Sequence, residues 1–295
     1  MAGRRGRAAA RLFDLVVMVD WSAASKPGPP RDAKDQIWIA WGGARARPAP
    51  RYCRTRGEAA SLLRELLAGA AGSALIGFDF PNAYPTGSGL GGGRAAAARL
   101  AALVEDAPDN RNNRFAVARA LNRELGQTPG PFWMCPAKEA DGALTVTRPP
   151  FDHRAFGEYR LVERRLHAQR RYPHSVWKLC GAGSVGSQAI MGLPVVHRLL
   201  TDSALAARSR IWPFETAWDA RLDGIVHAEI WPSLFALDDQ RHPIKDARQV
   251  AAVRDALLDA DRRGALRDWF ARPAGLSESE DRACLDSEGW ILGVR

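Results

Sequence analysis

No apolar run in the 295 residues approaches the 18 that a membrane-spanning helix needs, so a membrane role is not expected. Cysteine is sparse. Cys53, Cys135, Cys180 and Cys284 lie far apart with no CxxC pair, which excludes the usual structural zinc spacing and a disulfide framework and fits a reducing cytoplasm. The six histidines are scattered without a pair at ligand spacing, which again disfavours zinc. There is no internal repeat, and no low-complexity tract beyond one Ala-rich helix. Lysine is nearly absent, five residues against 37 arginines. The net charge of +9 favours polyanionic partners such as nucleic acid or nucleotides, although the arginines are dispersed and an Arg- and Ala-rich composition also follows from a GC-rich genome. The Arg-rich start, residues 1–11, lacks a small-residue cleavage site and reads as a disordered basic tail rather than a signal peptide.

What remains is an ordinary globular composition, 46% apolar and 25% charged, with strands that end in acids. Leu12 to Val19 is apolar and Val-rich, the mark of a buried strand, and it stops at Asp20. Gln36–Trp41 and Arg51–Thr55 read as the next two strands, Gly57–Ala70 as an amphipathic helix, and Ser73–Phe80 as a fourth strand carrying Asp79. Three strands, a helix and a fourth strand ending in Asp match the order of a ribonuclease H-like mixed sheet. In that arrangement the first and fourth strands lie side by side and bring both acids to one edge. The chain returns to strand at Gly224–Ile230 with Glu229, and Lys245–Arg263 is a long helix that opens with Asp246. Residues 12–295 therefore read as one α/β domain. A large helical and loop insertion, about 82–220, holds helices at Arg94–Val104, Arg114–Leu125 and Arg154–Gln169.

Asp20, Asp79, Glu229 and Asp246 are the candidate catalytic and metal-binding residues. Carboxylates converging on one point repel unless a cation lies between them, and hard oxygen donors select Mg²⁺ or Mn²⁺. Such ions can activate water against a phosphodiester. The bland alternatives are turn-capping by the aspartates and a helix cap at Asp246; Glu229, set between apolar residues, is the hardest to explain that way.

Gly181–Gly186 spells GxGxxG, but the charged segment before it and Gly192-Leu-Pro194 after it argue against a dinucleotide fold; a phosphate-holding turn and a plain tight turn both remain open. Lys178, Ser184 and Arg198 are candidates to hold substrate phosphate. Trp21 and Trp133 could stack on a base, whereas Trp38, Trp41 and Trp231 read as packing. Arg160 and Glu163 read as a surface i,i+3 ion pair, and Asn110–Arg114 as either a phosphate contact or a helix start capped by Asn113.

The segments VDWSAASKPG, IGFDFP, PHSVWKLCGAGSVGSQAIMGLPVVHRL, WPFET, AEIWPSLF and KDARQVAA, in this order over nearly the whole chain, resemble the bacterial "domain of unknown function 429" family. DNRNNRF, GPFWMCP and EGWILGV are similar to one of its subgroups. The resemblance implies a ribonuclease H-like fold, a predicted nuclease activity, and a carboxylate site in which Asp20, Asp79, Glu229 and Asp246 match the family's acids. Members often carry another acid one helical turn further on. Here Gln249 stands in that place, which leaves a second metal in question unless Asp255 compensates. The alternatives are an actin-like nucleotide-binding or phosphotransfer protein, a non-catalytic binding protein of a cofactor pathway, and a small-substrate metal-dependent hydrolase.

Overall fold

The LVVMVD run forms β1 (Leu15–Asp20), and the rest of the sheet is laid out on either side of it. In this computed structural model the described residues are 11–126, 128–152, 154–237 and 242–295; the tail expected at residues 1–11 falls almost wholly outside them. β2 (Ile37–Gly42) runs antiparallel to β1, and β3 (Arg51–Cys53) antiparallel to β2. On the other side β4 (Ala74–Phe78) is parallel to β1, β6 (Ile225–Glu229) parallel to β4, and the short β5 (Ser209–Ile211) parallel to β6. The order is β3-β2-β1-β4-β6-β5, a six-stranded mixed sheet flanked by helices.

The strands read as unbroken apolar runs because both faces are covered. Val17 and Val19 of β1 point into one core with α1 (Arg56–Ala68), α2 (Gly93–Leu103), α3 (Arg114–Glu124) and α5 (Val185–Thr201). Val16 and Met18 point into a second core with α4 (Leu161–Ala168), α6 (Lys245–Arg262) and α7 (Arg267–Phe270). The helices of the expected insertion thus pack into the same cores as the sheet. A last helix, α8 (Glu278–Ala283), precedes a terminal stretch in which Ile291 bridges to Glu229 and the Leu292 N–H donates to the Glu229 carbonyl.

Two expectations are corrected. Gly192-Leu-Pro194 does not interrupt a helix: α5 runs through both residues, nearly every side chain between Gly186 and Leu200 buried. Glycine is needed at 192 because a Cβ there would collide with the Phe80 ring. The helix expected at Arg154–Gln169 is only α4; the chain before Leu161 is irregular.

Among the described residues no helix is long and apolar enough to cross a membrane.

Candidate functional site

Register brings the acids together. Val19 of β1 is level with Phe78 of β4, and Phe78 with Glu229 of β6, so three parallel strands end at one height. Asp20 ends β1 and Asp79 immediately follows β4, its N–H donating to the Val19 carbonyl at 3.2 Å. The Asp79 carboxylate accepts the Trp21 N–H at 2.9 Å and lies beside the Asp20 carboxyl. Burial, reinforced by the charges of Asp79 and Asp246, holds the Asp20 carboxyl well above the usual carboxylate range. Burial likewise pushes Asp79 up to about 7. Two adjoining buried carboxyls titrate as a pair and disfavour ionising together.

Asp246 sits in the first turn of α6, where its Oδ2 accepts the Asp35 N–H at 2.6 Å. It lines a cleft of about 650 Å³ together with Asp20, Asp35, Arg114, Gln188 and the turns Trp21–Ala24 and Cys180–Ser184. A second hollow of about 380 Å³ meets this cleft at Asp20, Gly183 and Gln188, and adds Asp79, Glu229, His174, Lys245 and Gln249. Gln188 joins the two sides by donating to the Trp21 carbonyl at 2.5 Å.

Glu229 reaches the same edge but is already engaged. Its two oxygens accept from the Arg160 guanidinium at 2.8 and 2.6 Å, and Oε2 also accepts the Asn82 N–H at 3.2 Å. Arg160 and Glu163 are not a surface pair. Arg160 is fully buried at the start of α4, donates to Glu163 at 2.9 and 2.5 Å, and also reaches the Glu288 carbonyl. The helical period put the two residues on one face and could not show that Glu229 would meet them there.

The substrate-binding candidates separate. Ser184 lines the cleft just before α5. The Lys178 ammonium instead donates to the Ala182 carbonyl at 2.6 Å, bracing the turn, and does not line the cleft. Arg198 lies near the far end of α5 beside a different hollow, with Ala98 and His197. The Trp21 side chain is 1% exposed and packs edge-on to Phe80, so it has no free face for a base. Trp133 is half-buried against the core, outside the cleft.

Asn113 precedes α3, but its side chain ties back to the Glu105 N–H and the Leu103 carbonyl instead of capping the helix. Asn110 is buried and receives the Arg56 N–H. Asp255 does not replace the acid missing at Gln249: it pairs with Arg47 and Arg254, away from the cleft. Of the other cleft residues, Gln188 follows the Gly-rich turn considered for phosphate and Arg114 closes the NRNNR run, whereas Asp35 carried no signal in the sequence.

No protein-family model, curated protein or solved structure matches the chain. Among the described residues no group of three or more His, Cys, Asp or Glu side chains is arranged to hold a metal ion. The donor chemistry of Asp20 and Asp79 does fit a hard divalent cation, because a cation between them would favour the ionised carboxylates that burial now disfavours, and would offset the repulsion felt at Asp20. Asp246 stands close enough to add to that repulsion. Glu229 fits poorly as a ligand while Arg160 holds both its oxygens.

Proposed function

We propose that the chain is a ribonuclease H-like, divalent-metal-dependent phosphodiester hydrolase acting on nucleic acid or nucleotides, in keeping with the family that its sequence resembles. The observation that carries this reading is the Asp20–Asp79 pair, delivered by adjacent parallel strands to the mouth of a polar cleft. The strand order supports the fold: three antiparallel strands and a helix lead to a parallel strand seated beside the first, with β5 as an additional edge strand.

Asp20 and Asp79 would hold the ion, with Asp246 across the cleft from them. Mg²⁺ or Mn²⁺, when bound, supplies Lewis-acid polarisation of the phosphoryl group and a more acidic water. The chain's own residues do the rest. The Asp35 N–H fixes the Asp246 carboxylate, the Trp21 N–H fixes Asp79, and Gln188 ties the DWSAA turn to α5 so that the cleft keeps its width. Arg160 holds Glu229 as an ion pair beneath the site.

Calorimetric titration of Mn²⁺ and Mg²⁺ into wild type and an Asp20→Asn, Asp79→Asn double variant tests the proposal. Saturable binding lost in the double variant, with metal-dependent cleavage of an oligonucleotide or nucleotide, is the expected result. No binding at millimolar metal, with or without nucleotide, overturns it.

One observation favours a second reading, actin-like nucleotide binding. The DWSAA turn and the GAGS turn, the two segments such a protein would use on phosphates, line the same cleft. Metal-dependent ATP binding without hydrolysis of any phosphodiester would select it.

A further inference from the structure

Arg114 is the unspent charge of the cleft. It begins α3, is half-buried, and lines the same space as Asp20 and Asp246. Its Nη1 donates to the Ser25 hydroxyl at 2.6 Å and to Asn112 Oδ1 at 2.9 Å, and its plane lies 4.3 Å from the centre of the Phe115 ring. Nε is buried without a hydrogen-bond partner. Among the described residues no carboxylate lies within ion-pair distance of Arg114, although most other part-buried arginines here are paired. A guanidinium withdrawn from water without a counter-ion is costly, and burial accordingly lowers its pKa. The Phe115 ring, the Ser25 hydroxyl and the Asn112 carboxamide hold it in place. Its fork suits the oxygens of a phosphate.

The rest of the lining limits what that phosphate belongs to. Among the described residues Arg114 is the one basic side chain on the larger cleft, and Lys245 the one lysine or arginine on the smaller. A protein that follows a nucleic-acid strand neutralises several successive phosphates, and Lys178 and Arg198, the other candidates for that task, are elsewhere. The volumes, about 650 and 380 Å³, are those of sites for small ligands.

We infer that Arg114 is the phosphate anchor of this cleft and that the substrate is a small phosphoester of nucleotide size, not an internal stretch of a nucleic-acid strand. The inference rests on the hydrolase reading for the word substrate, and on Arg114 alone for the anchor.

The test is calorimetric binding, in EDTA, of AMP, adenosine, and a 20-nucleotide single strand to wild type, Arg114→Gln, Arg114→Lys and Ser25→Ala. AMP should bind wild type and adenosine at least tenfold more weakly. Arg114→Gln should lose at least tenfold in AMP affinity and Arg114→Lys should recover part of it. Ser25→Ala, which removes one of the two acceptors of Nη1 but keeps the charge, should stay within about threefold of wild type, and this separates lost charge from a disturbed loop. Equal AMP binding by wild type and Arg114→Gln, no AMP binding at millimolar concentration, or tighter binding of the 20-mer with a steep salt dependence would each overturn the inference. Oligonucleotide cleavage is assayed separately with Mg²⁺, so the two readings fail separately. Arg114-dependent AMP binding in a protein that hydrolyses nothing removes the hydrolase reading and leaves the anchor. Oligonucleotide cleavage unchanged in Arg114→Gln does the reverse.

Discussion

Removing the Arg160 guanidinium leaves Glu163 and Glu229, 2% and 4% exposed, buried without a counter-charge. Breaking a buried ion pair from one side costs about 3–5 kcal/mol. Arg160→Met is therefore expected to lower the urea midpoint sharply, and equilibrium denaturation checks it. A milder loss in Glu229→Gln, whose amide oxygen can still accept from Arg160, would accompany it. His227 supplies a pH dependence. Burial holds this wholly buried imidazole down at about 3, against 6.5 in a free side chain. Below pH 6.5 the unfolded chain takes a proton that the folded one refuses, so this group's contribution is complete above that pH. It is lost as the pH falls towards about 3, at a limiting slope of about 1.4 kcal/mol per pH unit. Urea midpoints measured from pH 7 to 4 should fall less steeply in His227→Gln than in wild type.

Among the elements, α5 departs most from local rules. Gly192→Ala would gain up to about 1 kcal/mol in helix propensity. Its Cβ meets the Phe80 ring, however, and overpacking of this kind costs about 1–3 kcal/mol. A net fall in the melting temperature is the expected outcome, and a rise would show that Phe80 yields at no cost. The same helix marks what the sequence could and could not tell. β1, β2, β4 and β6 were legible because sheet burial on two faces writes itself as apolar runs, and α1 and α6 because one-sided burial writes a 3.6-residue period. α5 is buried on nearly all sides, and its Gly and Pro, tolerated for packing, read as breaks. At the site, the placement of Asp20 and Asp79 was legible because each ends a strand whose neighbour could be guessed. The Arg160 partnership of Glu229, the burial of Trp21 and the distance of Arg198 from the cleft depend on contacts between remote segments, which no local pattern carries.

For the molecule as a whole, one sheet carries a core on each face, and the terminal stretch packs into the second of them. Trp290, Ile291, Leu292 and Val294 are all nearly inaccessible to solvent, and Glu288 accepts the Thr86 and Leu161 N–H groups. A chain ending at residue 287 is expected to lose cooperative unfolding and to bind a hydrophobic dye, as seen by circular dichroism and dye fluorescence. A sharp two-state transition in that chain would refute the expectation. The bridge from Ile291 to Glu229 also sets an order of events. Asp20 and Asp79 can meet once the first eighty residues have paired, but the strand end beside them is braced by residues made two hundred positions later. During synthesis the acidic edge thus exists long before its support does, and a ribosome-bound chain holds the carboxylates without the finished site.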